Sequence, residues 1–258
     1  MWDKQTDIGS IGVLSVIVLI RKRFLVVAGF FLCFLTGFAA LLVARYPMDA
    51  VSAFRAGETG PITVVVDPGH GGEDGGAVSS DGVMESQINL AISLQVNDLL
   101  RFSGQKTAMT RTEDVSIHTE GDTIRARKAS DIRNRVALVN TTENAVLLSI
   151  HQNSLPSSTV THGAQVFWNT AEGADHLAQI VQDSLNTAVN VGNEKHCKQI
   201  PGTIYLMKHV TAPAILVECG FLSNAEETLK LQEPSYQRKL ALAITSGYLR
   251  ALAGEETA

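Results

Sequence analysis

At 258 residues the chain exceeds one average domain and fits one large α/β domain carrying an appendage. Its formal charge is −5 overall, and from Tyr46 onward 16 Lys and Arg face 24 Asp and Glu, a formal −8. That balance argues against nucleic acid as a partner, and three cysteines in a chain of this size are not a disulfide framework.

The appendage comes first. From Phe24 to Ala44 every residue is apolar or small, Thr36 is the only hydroxyl and no charge occurs, so the run is long enough to cross a bilayer as a helix. Lys4, Arg21, Lys22 and Arg23 precede it and only Arg45 follows closely. By the positive-inside rule, residues 1–23 are expected in the cytoplasm, 24–44 as a transmembrane signal anchor, 45–60 as a linker, and 61–254 as a catalytic domain outside the cytoplasmic membrane. The alternative is a cleaved signal peptide that releases the domain. Against it, the run is longer than a signal core and Leu42–Val43–Ala44 is a poor cleavage site. Ile8–Ile20 is too short for an ordinary span.

Beyond the linker, strand and helix signals alternate. Val64–Val65–Val66 is a β-type run that ends in Asp67–Pro68 and delivers His70 into a loop rich in glycine. A helix is expected over Ser86–Phe102, ended by Gly104, then a strand over Lys106–Arg111 and a polar insertion over Thr112–Thr123. A helix over Ile124–Asn140 follows, with Ile132, Val136 and Val139 as its apolar stripe. Asn144–Ile150 reads as a strand running into His151, Gly163–Asn169 as a strand, and Glu172–Val189 as a helix. Thr203–Met207 and Ala214–Glu218 read as the last strands, before a short and a long helix ending near Leu252. Alternation of this kind predicts a single mixed, mostly parallel six-stranded α/β sheet flanked by helices on both faces.

Three strands thus end on chemically competent side chains: His70, His151 and Glu218. Polar groups at such strand ends share one rim if the strands are parallel neighbours. Two histidines and a carboxylate are the usual donors for a catalytic zinc with an open position. Glu85, at the entrance of the expected helix, is the best third ligand, since it can turn back toward His70 across the glycines, and Glu218 is then the spare carboxylate. Zinc activates water and a nearby carboxylate moves its proton, so the chemistry indicated is hydrolysis of an amide. His118, His162, His176, His196 and His209 lack the strand-end context, and Glu73 and Asp74 read as solvated turn residues. Cys219 continues an apolar run and reads as a small core residue. A Cys197–Cys219 disulfide is arithmetically possible but not needed for stability.

The segments Asp67–Pro68–Gly69–His70–Gly71–Gly72, then Glu85, Ser149–Ile150–His151–Gln152–Asn153 and Val217–Glu218–Cys219–Gly220–Phe221–Leu222–Ser223–Asn224 resemble, in this order, the zinc-dependent N-acetylmuramoyl-L-alanine amidases. The likeness runs from about Ile62 to Leu252. It implies Zn2+ held by His70, Glu85 and His151, with Glu218 as the catalytic glutamate and peptidoglycan as the substrate. Water activated at the zinc attacks the lactyl carbonyl of muramic acid while Glu218 passes the proton to the L-alanine nitrogen. Met109–Thr110–Arg111 and Arg127–Val136 are similar to the CwlD-type branch used in making spore cortex. That branch implies formation of muramic-δ-lactam, a role in germination, and a single N-terminal membrane segment without separate wall-binding repeats. Besides peptidoglycan and the membrane, an accessory exported protein is an expected partner. Gln152 and Cys219 depart from residues frequent in the family. Arg133 and Arg135 are candidates for holding substrate carboxylates, the alternative being solvated charges on a helix surface, and no nucleotide or redox cofactor is implied. A zinc peptidase cutting within the stem peptide, a vegetative autolysin and an inactive wall-binding module are the competing readings.

Overall fold

The structure, a computed structural model, describes Thr36 and residues 60–255. The expected cytoplasmic segment and the Phe24–Ala44 span lie outside the described residues apart from Thr36, as does the linker before Gly60. Among the described residues no helix is long and apolar enough to cross a membrane.

The elements in chain order are β1 (Thr63–Pro68), α1 (Glu85–Phe102), β2 (Lys106–Met109), α2 (Ile124–Thr141), β3 (Ala145–Asn153), β4 (Gln165–Trp168), α3 (Ala174–Ala188), β5 (Lys198–Gln199), α4 (Tyr205–His209), β6 (Ala214–Phe221), α5 (Ala225–Gln232) and α6 (Pro234–Leu252). Local signals explain several boundaries. The Thr123 side chain accepts from the Ala126 amide at the start of α2, the Asn224 side chain does the same for Glu227 at the start of α5, and α6 opens on Pro234.

The strands form one mixed sheet of six in the order β2-β1-β3-β6-β4-β5. β2, β1, β3 and β6 run parallel, β4 pairs antiparallel with β6, and β5 runs parallel to β4. Alternation along the strands divides the core into two layers. Val64 and Val66, Val146, Leu148 and Ile150, and Ile215, Val217 and Cys219 join the larger cluster under α1, α3 and α6. Val65, Leu147, Ala214 and Leu216 belong to the smaller cluster, which Val139 of α2 and Leu206 and Met207 of α4 cover. The period of two therefore puts Asp67, Ser149, His151 and Glu218 on the thinly covered face. Cys219 lies fully in the core and Cys197 is partly buried, and both are free thiols.

One expected strand is not a strand. Thr203–Met207 does not form the expected strand: Tyr205–His209 is helical, and Lys198–Gln199 supplies the sixth strand instead. Leu206 and Met207 are adjacent and both buried, with Val210 buried one turn later. That spacing suits a helical face and not the alternation of a strand.

α2 is tied to the end of β1 by a buried ion pair. Arg135 Nη1 lies 2.6 Å from Asp67 Oδ1 and Arg135 Nε lies 2.6 Å from Asp131 Oδ2, with Arg135 2% and Asp67 1% exposed. Asp67 also accepts from Thr110 Oγ1 at 2.6 Å and Ser149 Oγ at 2.7 Å. Burial opposes ionisation of Asp67, but the Arg135 charge and these two hydroxyls outweigh it and hold the carboxyl below its ordinary range. Replacing Arg135 by Leu leaves that carboxylate buried without its counter-ion. The expected cost is about 3–5 kcal/mol of folding stability, read as a lower midpoint of urea unfolding at neutral pH.

Candidate metal centre

The loop after β1 carries His70 with φ at 62°, a left-handed backbone that a residue with a side chain holds only where its surroundings fix it. Two buried guanidiniums do the fixing. Arg135 donates to the carbonyls of Pro68 at 2.8 Å and His70 at 2.7 Å. Arg111, 3% exposed, donates to Pro68 and Gly69 at 3.0 Å each and to Ser86 at 2.8 Å. The carbonyls at the end of β1 and in the loop that follows it are thus satisfied by side-chain donors, as buried carbonyls require.

Glu85 is the first residue of α1 and is buried. Its Oε1 accepts from His151 Nδ1 at 2.9 Å, the Gln152 amide at 3.0 Å and Asn89 Nδ2 at 3.1 Å, and its Oε2 accepts from the Ala77 amide at 2.8 Å. Burial works against its charge, yet the His151 hydrogen bond, the neighbouring histidines and the Ala77 amide prevail and hold the carboxyl down at about 2. His70 Nε2 lies 3.3 Å from Glu85 Oε2. The glycines make room for this convergence. A Cβ at Gly69 would run into the His151 ring, and one at Gly76 would sit 2.7 Å from the ring of His70.

His70, Glu85 and His151 each present one donor atom, all within 4.8 Å of one another. Two imidazole nitrogens and an ionised carboxylate are a fitting donor set for a divalent metal that keeps an open position. Beside them, Glu218 of β6 stands in register with His151 of β3. Its Oε2 is buried without a hydrogen-bond partner. Burial and the Glu85 charge push its carboxyl up to about 7, against the pull of His151. A carboxyl poised near neutrality can take and return a proton. His70, His151 and Glu218 border a cavity of about 320 Å³ whose other walls include Lys128, Ile132, Ile204 and Tyr205.

His70, Glu85, His151 and Glu218 are therefore brought together from four separate segments, as the sequence predicts. The other five histidines take no part in the cluster, and His118 instead faces Ser116 at 2.9 Å. The two expected substrate-binding arginines are placed otherwise. Arg133 is at the surface, paired with Glu120 at 2.7 Å. Arg135 borders the cavity, but its guanidinium is engaged by Asp67, Asp131 and the carbonyls of Pro68 and His70, and it holds the loop in place.

Asp74 also corrects an expectation, for it is not a solvated turn residue. Its Oδ2 meets His70 Nδ1 at 2.8 Å and its Oδ1 meets Lys128 Nζ at 2.6 Å. The Gly71–Asp74 bridge, with both backbone hydrogen bonds formed, folds the chain back and brings this carboxylate to the ring. The glycine pair at 71 and 72 is the signal that would have found it, since it permits that turn. Glu73, by contrast, is exposed and pairs with Arg127.

Comparison with known proteins agrees with this geometry. The profile of the N-acetylmuramoyl-L-alanine amidase family matches residues 64–250. The germination-specific N-acetylmuramoyl-L-alanine amidase of Bacillus subtilis (strain 168) is 37% identical over 224 residues, covering 85% of this chain and 93% of the relative. The CwlD amidase from Clostridioides difficile, solved in complex with the GerS lipoprotein, superposes with a TM-score of 0.72 at 33% identity, covering 75% of this chain and 100% of that one. The N-acetylmuramoyl-L-alanine amidase from Clostridium difficile 630 gives 0.65 at 29% identity, over 76% of this chain and 100% of that one. With its fold, its clustered donors and most of its length in agreement, the chain belongs to the N-acetylmuramoyl-L-alanine amidase family and is an enzyme of that activity.

Proposed function

We propose that this chain is a zinc amidase that cuts the bond between the lactyl group of N-acetylmuramic acid and L-alanine during maturation of the spore cortex. The freed lactyl carboxyl is the group that must be available for muramic-δ-lactam to close. The reading rests above all on the convergence of His70, Glu85 and His151 within 4.8 Å beside a buried, unpartnered Glu218 oxygen. The likeness to the germination-specific amidase of B. subtilis supports the cortex assignment.

His70, Glu85 and His151 would hold the zinc, which supplies Lewis acidity for the carbonyl and makes water acidic enough to attack near neutral pH. Glu218 accepts a proton from the attacking water and delivers it to the L-alanine nitrogen as the C–N bond breaks. The products are a lactyl carboxyl group and a free amine. Asp74 orients His70 by occupying Nδ1, so that Nε2 is turned toward Glu85 and is the nitrogen that would hold a metal. Asn89 and Gln152 do the same for Glu85 through its Oε1.

The charge asymmetry about Phe24–Ala44 supports a single-pass anchor with the catalytic domain on the outer face of the cytoplasmic membrane, in a sporulating cell the space between the forespore membranes. An exported accessory protein is a further partner in this reading, supported by the likeness to the CwlD amidase from Clostridioides difficile, which was solved in complex with the GerS lipoprotein.

The test is digestion of purified peptidoglycan by the zinc-loaded protein, with products identified by mass. Muramic acid and free L-alanine amino termini are expected, whereas cuts confined to the stem peptide would make the protein a peptidase. His70→Ala is expected to lose zinc and activity together. Glu218→Gln keeps the metal and the fold while kcat falls by about 10²–10⁴, so near-normal turnover would remove Glu218 from proton transfer. Asp74→Asn should weaken zinc binding about 10–100-fold in competition with a chelator, with the unfolding midpoint of the metal-free protein little changed. For the anchor, protease added to intact protoplasts should remove the catalytic domain, and its full protection would reverse the orientation.

A further inference from the structure

The walls of the catalytic cavity are chemically unequal. Ile132, Ile204, Leu206 and Leu216 form an apolar side, while Asp67, Asp74, Asp131 and Glu218 bring four carboxyl groups to the same space. A substrate bearing a carboxylate would meet repulsion there unless a cation received it. Arg127 and Arg133 do not line the cavity, and Arg135, which does, has its guanidinium taken by Asp67, Asp131 and the carbonyls of Pro68 and His70. Lys128 is different. It lines the cavity, its side chain is 50% exposed, and its ammonium meets Asp74 Oδ1 at 2.6 Å. An ammonium has three donors, so two remain for a ligand.

We propose that Lys128 is a specificity-determining residue of this amidase, binding a carboxylate on the stem-peptide residue that follows the L-alanine. The assignment rests on the amidase reading above. Lys128 Nζ is linked to His70 through a single carboxylate, Asp74, by contacts of 2.6 and 2.8 Å. One extended residue spans at most about 3.6 Å, so with the carbonyl at the metal donors the stem residue after the L-alanine stays a few ångströms from them, on the same scale as the two-contact chain that links the ammonium to His70. The half-exposed position also suits a group that must bind and release, which a fully buried ion pair does not.

The experiment uses two muropeptides that differ only at that stem residue, one with a carboxylate and one with a carboxamide. Wild type and Lys128→Gln, each with zinc content measured, are compared by kcat and KM. Binding of the matching free stem peptides to the metal-free proteins is followed by calorimetry. Wild type is expected to show a KM about tenfold lower for the carboxylate, the scale of one hydrogen bond to a charged group. Lys128→Gln should lose that preference, through KM and not kcat, with peptide binding weakened in parallel. Lys128→Arg should keep the preference, which separates charge recognition from a general failure to fold. Equal losses by Lys128→Gln on both substrates, or a wild type without preference, would overturn the proposal and leave Lys128 as a support for Asp74. Failure of wild type to cleave either muropeptide would instead overturn the amidase reading itself.

Discussion

The buried pair of Arg135 with Asp67 is the constraint on which the site depends. A guanidinium and a carboxylate removed from water recover their desolvation cost only with good geometry and with their remaining donors and acceptors satisfied. Here those remaining donors go to the carbonyls of Pro68 and His70, and the remaining acceptor sites of Asp67 go to Thr110 and Ser149. The pair therefore fixes a conformation more than it adds net stability. It locks the end of β1, the left-handed turn at His70 and the helix α2 in one arrangement. Arg111 repeats the device from the other side by joining Pro68 and Gly69 to Ser86. That link holds the loop against the start of α1, where Glu85 sits.

With the backbone fixed in this way, two glutamates a few ångströms from His151 acquire opposite characters. Glu85 is surrounded by donors and stays ionised, held down at about 2, whereas Glu218 has one oxygen without a partner and is pushed up to about 7. Burial disfavours charge in both cases, so the difference comes from the hydrogen bonds and histidine charges around Glu85 and from the Glu85 charge that opposes ionisation of Glu218. An ionised carboxylate is what a metal requires of a ligand, and a carboxyl titrating near neutrality is what proton transfer requires of a base. The division of labour follows from Glu85, at the start of α1, facing the amides of Ala77 and Gln152, while Glu218 in β6 does not.

Much of this was legible in the sequence because the strongest signals are local. Val64–Val66, Asn144–Ile150 and Ala214–Val217 are apolar runs that end on the functional residues, and a parallel sheet aligns such ends by its register. The period of two even settles that His151 and Glu218 share a face. The misread residues are those whose role depends on a partner far along the chain. Asp74 reads as a loop acid until Lys128 and the His70 ring are brought to it, and Arg135 reads as a helix-surface charge until Asp67 lies beneath α2. Helical spacing could have warned of the latter, since Arg135 stands one position before Val136 and four before Val139, on the flank of the apolar stripe.

The segment misread as a strand shapes the site most directly. A strand over Thr203–Met207 would have extended the sheet, whereas the single turn of α4 lies over its thinly covered face and buries Leu206 and Met207 there. Ile204 and Tyr205 stay 40% and 43% exposed at the cavity wall, an arrangement that a longer element packed flush on the sheet would not leave. The cavity exists because the layer over β3 and β6 is built from α2 and one short helix, while the opposite face carries α1, α3 and α6. The asymmetry that puts the larger core on one side of the sheet also keeps water and substrate within reach of His151 and Glu218 on the other.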